Sequence, residues 1–377
     1  MIRIINRSTL VKAIWFLSFI WMPAVSFAEE MPLFYQGIRP LGMGGAFTAV
    51  ADDDNALFYN PAGLLQKKGK GNFEIILPVF STLEWGQNAN DLANGVNDIS
   101  ESGGSDQTVD LVNLFLGEPF HLKTSYFPNL IIHNFGVGLL TQGSISGTIH
   151  SPLSSNVLEA KGQVDVAMLF SYARPVTVKK MPIYVGVTTK GVRRGIVEKS
   201  YSLRELTATT TKFDPDTDIK QGTGVALDLG FLYPMSGRVG SPLLKSMAMQ
   251  PTVGLSLQNI VGGDLGNAGE IPFQANLGVA LDQKVGWGAF LLAADIVDLT
   301  RNVGDDNNFS KRLHMGLEYQ LPYVLTLRTG LYQGYPSFGT TIDLWLIHLT
   351  YAYYVEEIGA FAGQIPDARH VVKLSFF

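Results

Sequence analysis

The sequence predicts an all-β protein, a transmembrane antiparallel β-barrel of about 14 strands. Three observations predict it. The chain begins with an export signal, charged residues make up only 16% of its 377 residues, and apolar and polar residues alternate along many short segments. Soluble proteins have about 25% charged residues. No apolar run of 18 residues follows the signal. Since only helices and closed barrels satisfy the backbone inside a bilayer, such a chain is expected to cross the membrane with strands.

Residues 1–28 are predicted to be a signal peptide. Three basic residues precede an apolar stretch over residues 13–22, and Pro23 and the small-residue sequence at 26–28 follow it. A retained anchor helix is the alternative, but the apolar stretch is shorter than the ~20 residues that a spanning helix needs. The mature chain would then begin at Glu29.

The charge of the mature chain limits its partners. Cleavage removes Arg3, Arg7 and Lys12 and leaves 25 basic against 33 acidic residues, a net charge of −8. This charge argues against nucleic acid as a partner. The chain contains no Cys, so an exported fold must be stable without disulfides or thiolate metal sites.

The segment from Arg39 to Leu64, RPLGMGGAFTAVADDDNALFYNPAGL, is rich in glycine and alanine. Its glycines permit backbone angles and close approaches that other residues avoid. Its acidic run can start a helix, and an Asn-Pro pair supplies a typical N-cap and first helical residue. We therefore expect two short helical turns after a glycine-rich bend. The candidate functional residues of this segment are Gly42, Gly44, Gly45, Asp52, Asp53, Asn60 and Pro61.

This segment resembles the N-terminal hatch of FadL-type outer-membrane transporters and their PorV-like relatives, which share GMGGA, ADD and NPAGL in the same order. The resemblance implies that residues 29–70 form a hatch inside the lumen of a barrel made by residues 71–377. An ordinary glycine-rich surface loop is the alternative. A phosphate-binding loop fits less well, because Phe47 stands where its third glycine would be and no Lys follows.

The barrel strands are predicted from alternation with a period of two residues. Val164, Val166 and Met168 alternate with Asp165 and Ala167, for example, and similar patterns recur to the end of the chain. No helices remain to cover the apolar faces, so these faces should contact lipid. The fourteen predicted strands are 71–85, 122–132, 135–148, 161–173, 182–195, 221–235, 250–260, 271–283, 286–298, 310–321, 323–332, 337–344, 346–355 and 366–377.

The connections between these strands should alternate between short and long if both chain ends are periplasmic. The predicted tight turns are 133–134, 282–286 and 321–322. The predicted long polar loops are 86–121, 149–160, 196–220, 299–309 and 356–365. The connection 236–249 is an exception, because it is fairly long on the periplasmic side.

Ionisable residues on the polar faces of the strands should point into the lumen. They carry both signs of charge, so we expect them to pair with each other or with the hatch and to hold it in place. These lumen residues are Asp165, Lys190, Asp228, Asp295, Arg312, Glu318 and Arg328.

Aromatic residues support the barrel prediction in two ways. The chain ends at Phe377 after the alternating Val372, Leu374 and Phe376, which resembles the aromatic-ended insertion signal of outer-membrane barrels. Other aromatic residues near strand ends should form belts at the two membrane interfaces. The candidates are Trp85, Tyr233, Trp287, Tyr319, Tyr323, Tyr332 and Trp345.

The first long loop, 86–121, is predicted to be extracellular and helical. Apolar residues recur there at helical spacing, and Gly117 and Pro119 end the second candidate helix. The resemblance implies that such a loop captures hydrophobic substrate. Packing of two helices into a simple lid is an equal alternative. The candidate groove residues are Leu92, Val96, Ile99, Val109, Val112 and Leu116.

The sequence offers little support for an enzyme. Its six His residues lack metal-ligand spacing such as H-E-x-x-H, and Ile145 occupies the place of the nucleophile in GSISG at 143–147. The acidic run Asp52 to Asp54 could bind a cation, but capping of a turn is the simpler reading. We expect no catalytic residue, no metal and no cofactor.

The resemblance therefore implies passive transport of small hydrophobic, fatty-acid-like compounds through the outer membrane. The alternative is a PorV-like docking role in a secretion or surface-assembly machine. Segments 253–260 and 312–320 resemble PorV-like relatives rather more than they resemble the fatty-acid channel. The expected partners are outer-membrane lipid, a hydrophobic small molecule and, in the alternative, a secretion-machinery protein. No nucleic acid is expected.

Overall fold

The computed structural model describes residues 31, 33–66, 73–78, 80–88, 119–150, 157–202, 218–235, 250–303, 308–322, 324–344, 346–359 and 361–376. Within these residues sixteen strand segments form one antiparallel sheet. They are β1 (Phe73–Pro78), β2 (Thr82–Gly86), β3 (Pro119–Tyr126), β4 (Asn129–Ile132), β5 (Phe135–His150), β6 (Val157–Val178), β7 (Met181–Ser202), β8 (Lys220–Pro234), β9 (Gln250–Gly262), β10 (Gln274–Val285), β11 (Gly288–Ile296), β12 (Leu313–Gln320), β13 (Leu325–Tyr332), β14 (Tyr335–Asp343), β15 (Ile347–Glu357) and β16 (Pro366–Phe376).

The sheet closes into a barrel of 14 strands, as predicted. β1 and β2 are two parts of one barrel strand, because both pair with β16. β3 and β4 are likewise two parts of the next strand, because both pair with β5. Pairing of β1 and β2 with these partners on both sides joins the last strand to the first, so the barrel has no free edge along its length.

The first barrel strand is interrupted between the end of β1 at Pro78 and the start of β2 at Thr82. Leu77 pairs with Phe376 and Leu83 with Val372, so six steps along this strand match four steps along β16. The same mismatch of two residues occurs on its other side, between β1–β4 and β2–β3. β3 and β4 are separated by Phe127 and Pro128, and a proline cannot donate a ladder hydrogen bond. The wall is therefore interrupted between the first two barrel strands.

The strands present an apolar face outward and a mixed face inward. On β6, Val166, Met168 and Phe170 are 40–52% exposed, whereas Asp165 and Leu169 are fully buried. Leu277 and Val279 of β10 and Met315 of β12 are also exposed outside the barrel. Because such an apolar band is stable only against hydrocarbon, the barrel is a transmembrane one. Among the described residues no helix is long and apolar enough to cross a membrane.

The two ends of the barrel differ in their connections. Tight turns at 133–134, 179–180 and 286–287 lie at one end, which we call the turn end. The opposite end, which we call the loop end, carries most of the longer connections. The predicted uniform alternation is wrong at one point, because β13 and β14 are joined at the loop end by the two-residue turn Gln333-Gly334. The connection 236–249 lies outside the described residues.

Two predicted long loops are shorter than expected. β6 begins at Val157 and β7 ends at Ser202, so both strands extend into the predicted loops 149–160 and 196–220. The two strands remain paired over their whole length. Charged residues caused the error, since Lys161 and Glu198 are typical of loops, whereas here they face each other across the paired strands and form an ion pair of 3.1 Å.

One predicted interfacial aromatic residue faces the wrong way. Tyr332 points into the barrel, is 1% exposed and donates a hydrogen bond of 3.1 Å to Glu356. A position near a strand end does not fix which face a side chain takes, whereas the alternation with the exposed Leu331 does. Trp287 is 78% exposed at the turn end, and Tyr319 stacks on Phe290 nearby. Trp85 and Tyr233 are partly exposed. Tyr323, Trp345 and Phe377 lie outside the described residues.

Candidate functional site

Residues 33–66, which we call the inner segment, lie inside the ring of strands. The segment contains α1 (Ile38–Gly42), α2 (Ala56–Tyr59) and a 3-10 helix (Pro61–Leu65). α1 contacts β13 to β16, and the 3-10 helix contacts β6 to β8 across the barrel. The segment therefore spans the lumen from wall to wall. The ends predicted for this domain, residues 29 and 70, lie outside the described residues and stay predictions.

The glycine-rich bend follows a helix that the sequence analysis missed. α1 ends at Gly42, and Gly44 and Gly45 take φ angles of +64° and +80°, which side chains with a Cβ rarely adopt. Pro40 concealed the helix in the sequence, although a proline is tolerated in the first turn, where backbone N–H groups have no helical partner. The later two helical turns lie where the sequence placed them.

Asn60 joins the helical turns to the bend. Its side chain accepts a hydrogen bond from the backbone of Ala62 and caps the 3-10 helix, in which Pro61 is the first residue. Its Nδ2 atom donates to the carbonyl oxygen of Thr48 at 2.8 Å. One buried amide therefore holds the two halves of the inner segment together.

Inward-facing glycines bring the wall against the inner segment. A methyl group on any of seven wall glycines would lie 2.1–2.9 Å from an atom of the inner segment, closer than real Cβ atoms approach. These glycines therefore allow the two backbones to touch. They are Gly186, Gly230, Gly254, Gly278, Gly316, Gly330 and Gly339. The sequence analysis did not select these glycines, because their common feature, close approach to the inner segment, is not visible in the alternation of a single strand.

A buried ionic cluster fastens α1 to the wall. The guanidinium of Arg39 bonds both oxygens of Glu318 at 2.8 Å and also contacts Asp52 at 2.6 Å and Asp53 at 2.9 Å. Arg328 contacts the same Glu318 at 2.6 Å. Burial alone would lower the pKa of the Arg39 guanidinium, but its three carboxylate neighbours raise that pKa well above its ordinary value. The carboxylates of the cluster therefore stabilise the charged form of Arg39.

Two further wall residues bind the backbone of the bend. Asp295 accepts hydrogen bonds from the N–H groups of Phe47 and Thr48 at 2.7 and 2.6 Å. The Nδ1 atom of His314 lies 2.5 Å from the carbonyl oxygen of Gly44. The wall thus recognises the bend through its main chain, as one expects where side chains are small.

The other predicted lumen residues are also buried; their ion pairs join wall strands, except that of Arg312, which lies in a 3-10 helix within the β11–β12 connection instead of on the predicted strand. Lys190 pairs with Asp228 at 2.8 Å, and Arg312 lies 3.4 Å from Asp298. Asp165 pairs with Arg194, a residue that the sequence analysis did not select. Gln142, also missed, connects this pair to the inner segment by donating to both Asp165 and the carbonyl oxygen of Phe34.

An aromatic cluster crosses from the inner segment to the wall. Tyr35 stacks on Phe58 with ring centres 3.9 Å apart, and the wall residue Phe127 lies 4.9 Å from Phe58 and 5.8 Å from Tyr35. Phe34 lies 6.3 Å from Phe58. Phe34, Tyr35 and Phe58 line a cavity of about 40 Å³ together with Leu33. Phe127 could not be recognised from the sequence, because it lies at the break between β3 and β4.

The wall interruption lies beside this cluster. Phe127 is one of the two residues between β3 and β4, and it is only 4% exposed. On the inner segment Asp54 lies 3.3 Å from Asn129 and 3.5 Å from Lys373, which belong to the two barrel strands on either side of the interrupted first strand. The inner segment is therefore fastened at the place where the wall is weakest.

A polar vestibule of about 560 Å³ opens on the loop-end side of the inner segment. Leu33 and Gln36 of the inner segment form part of its lining, and these two residues also line the small cavity described above. Its other lining residues include His121, Lys123 and Gln142. The vestibule and the small cavity beside the aromatic cluster therefore share two lining residues of the inner segment.

Two other predictions concern the apolar groove of the first long loop and a cation site. The predicted groove residues Leu92, Val96, Ile99, Val109, Val112 and Leu116 lie outside the described residues. Asp52 and Asp53, considered for a cation, are paired with Arg39. Within the described ranges no group of three or more His, Cys, Asp or Glu side chains could hold a metal ion.

Comparison with known proteins gives structural neighbours but no sequence relatives. No protein-family profile matches the chain, and no curated protein matches it. Similar solved structures include the toluene transporter TbuX of Ralstonia pickettii, at a TM-score of 0.47 and 12% identity over 91% of this chain and 98% of that one. Several of the structural neighbours are FadL-type hydrocarbon transporters. The Pseudomonas putida toluene transporter TodX has a TM-score of 0.44 and 12% identity over 93% and 98% of the two chains. The CymD monoaromatic hydrocarbon channel has a TM-score of 0.45 and 10% identity over 94% of this chain and 98% of that one.

Proposed function

We propose that this protein is a passive outer-membrane channel for small hydrophobic molecules, and that the inner segment is its hatch. The observation that carries the proposal is the aromatic cluster of Phe34, Tyr35, Phe58 and Phe127. This cluster extends from the small cavity that Phe34, Tyr35 and Phe58 line to Phe127 at the interruption in the wall. Aromatic rings offer a hydrophobic molecule a favourable environment between the vestibule and the lipid.

The direction of the route follows from what blocks the lumen. The inner segment fills the barrel with side chains such as Met43, Phe47 and Leu57 that are fully buried, so a straight aqueous path is closed. Between the first two barrel strands, by contrast, pairing ends at Ile76 with Asn129 and resumes at Thr82 with Ser125. A hydrophobic molecule that reaches this place can enter the bilayer directly, whereas a polar solute would lose its hydration there.

Passage requires movement of the hatch. The cavity beside Tyr35 and Phe58 has a volume of only about 40 Å³, which is comparable to the space of one water molecule. A larger molecule can pass only if the aromatic cluster opens. The contacts of Asp54 with Asn129 and Lys373 lie next to Phe127 and are among the weaker attachments of the hatch, at 3.3 and 3.5 Å. We infer that this edge of the hatch moves first.

Phe127→Asp is expected to reduce uptake of hydrophobic compounds about tenfold or more, because it places a carboxylate on a route that must accept apolar molecules. The measurement is uptake of radiolabelled toluene and of oleate by Gram-negative cells that lack other channels of this type and carry this protein. The two probes distinguish a monoaromatic from a fatty-acid-like substrate, since either could use the aromatic cluster.

Phe127→Leu is the matched control, because it keeps an apolar side chain at the interruption, and uptake should stay within about twofold of wild type. Sugar permeation, measured by liposome swelling, reports separately whether the hatch has been displaced. The proposal fails if Phe127→Asp and wild type take up both probes at the same rate while the protein is folded in the membrane.

Docking to a secretion or surface-assembly machine is a second candidate, favoured by the shape of the turn end. The hairpin of β6 and β7 projects there beyond the first residue of β5, which pairs with Tyr172. Val176, Val178 and Met181 in this projection are 36–44% exposed. Two exposed lysines at its turn, Lys179 and Lys180, keep it soluble. An exposed apolar hairpin at the turn end could contact a protein.

Val178→Asp tests this second candidate. If the hairpin docks a protein, the substitution should abolish co-purification of that partner, because it places a charge in the interface, and should leave uptake of toluene and oleate unchanged. Thr177→Asp, on the opposite face of the strand, is the control. Loss of uptake without change in co-purified proteins would argue against docking.

A further inference from the structure

The outer surface of the barrel carries an apolar groove that the proposed channel function does not use. It has a volume of about 700 Å³ and runs over β2, β3, β5, β6 and β7 to the start of β8. Its walls are formed by Leu122, Ile145, Val164 and Val197, of which the first three are 46–56% exposed. These side chains belong to the outward faces of their strands, so the groove opens toward the bilayer.

The floor of the groove is formed by glycines that the fold itself does not require. Gly162 pairs with Ile145 and Val197, and Gly143 pairs with Val164. A Cβ added at Gly162 would have no atom within 4 Å, and at Gly143 it would make only ordinary contacts of 3.9 Å. Glycine in the middle of a strand weakens it and often marks a place where a ligand approaches closely. The inward-facing glycines of this barrel obey that rule, since the inner segment touches them.

A cation lies at one edge of the groove. Arg193 pairs with Val166 on β6 and points outward, and its guanidinium donates to the side-chain oxygen of Gln221 at 3.1 Å. In the part of the chain that the structure describes, it forms no ion pair with a carboxylate. An arginine on a lipid-facing surface is costly unless it reaches the interface or an anion. The groove thus combines an apolar trough with an available positive charge.

We propose that this groove binds one acyl chain of an anionic lipid, with the lipid headgroup at Arg193. The concave apolar trough accommodates a hydrocarbon chain, and the guanidinium complements a phosphate, with which arginine forms bidentate hydrogen bonds. A lipid is the occupant because this surface belongs to the part of the barrel that contacts the bilayer. A protein or a second copy of the chain would have to insert a matching ridge in place of that lipid.

Lipid retention by the purified, delipidated full-length protein tests the proposal. The protein is incubated in detergent with equal amounts of dioleoyl phosphatidylglycerol and dioleoyl phosphatidylcholine, and bound lipid is counted by native mass spectrometry. Wild type should prefer phosphatidylglycerol about fivefold, the effect of one cation facing an anionic lipid. Arg193→Gln should abolish this preference, and Arg193→Lys should retain it. Arg174→Gln, which removes an outward cation near the turn end, should behave like wild type.

Filling the groove separates chain binding from charge. Gly162→Leu should lower retention of both lipids about tenfold or more, because it displaces several methylene groups of the bound chain. Gly191→Leu is the matched control, since Gly191 also faces outward with no atom within 4 Å of an added Cβ but does not line the groove. Heat-dependent migration in gels verifies that every variant is folded. Equal retention by Gly162→Leu and wild type would overturn the proposal, as would a parallel loss in both leucine variants.

Discussion

Glu318→Gln is expected to destabilise the folded protein by about 3–5 kcal/mol, the usual cost of removing one partner from a buried ion pair. Glu318 receives Arg39 from the inner segment and Arg328 from the wall. Without its carboxylate, Arg39 still has Asp52 and Asp53. Arg328 is only 9% exposed and is left with a hydrogen bond to Thr341, so an uncompensated charge remains buried. Equilibrium unfolding by guanidinium in lipid vesicles, followed by tryptophan fluorescence, measures the change.

Glu198→Gln is the matched control. Glu198 pairs with Lys161 at 3.1 Å, but both side chains are about half exposed, so its loss should cost at most about 1 kcal/mol. Adding Arg328→Gln to Glu318→Gln should recover part of the lost stability, because the orphaned cation is then removed as well. If Glu318→Gln and Glu198→Gln cost the same, the cluster around Arg39 does not hold the inner segment.

The barrel could be predicted from the sequence because strand alternation is a local signal. Each strand shows on its own which residues face lipid, as Val164 to Met168 do, and a closed barrel follows when nearly every segment shows the same pattern. The N-cap role of Asn60 and the first helical position of Pro61 could also be predicted, since capping depends on neighbours in the sequence. These elements therefore required no knowledge of tertiary contacts.

The site itself depends on contacts between distant residues, which a single sequence does not encode locally. Glu318 is 279 positions from Arg39, and Asp295 is 248 from Phe47. The interruption between β1 and β2 appears only as a register difference between paired strands, and the break at Phe127 appears only in the pairing of β3 and β4 with the first barrel strand. Tyr332 was misplaced because its face depends on strand register. The wall glycines were the one detectable signal, since strands seldom carry glycine repeatedly on one face without a reason.

Such glycines also show how the inner segment is held in the lumen by contacts beyond its chain connection to the first barrel strand. Each ionic contact fixes a side chain, but the wall glycines fix the distance between two backbones. The hydrogen bonds of Asp295 and His314 depend on that distance, because both side chains bond main-chain atoms of the bend, the N–H group of Phe47 and the carbonyl oxygen of Gly44. Closure of the lumen should therefore be more sensitive to the size of the side chain at these wall positions than to the loss of any single charge.

Gly316→Val is expected to open the lumen. A Cβ at Gly316 would lie 2.3 Å from the carbonyl oxygen and 2.9 Å from the Cβ of Met43, and neither atom belongs to a flexible side-chain end. The inner segment must then move away from β12, at a cost of about 1–3 kcal/mol for overpacking. Planar-bilayer recordings should show ion conductance well above that of wild type, approaching the level of a variant that lacks residues 31–64.

Gly191→Val is the control for this result, because the same substitution on the outer face adds its Cβ where no atom lies within 4 Å. It should leave conductance at the wild-type level. The deletion variant sets the upper limit and tests the premise, since equal conductance with and without residues 31–64 would mean that the inner segment does not block the lumen. If only the deletion conducts more and Gly316→Val remains closed, the wall glycines do not control the block, and the ionic cluster around Arg39 is sufficient to hold the inner segment in place.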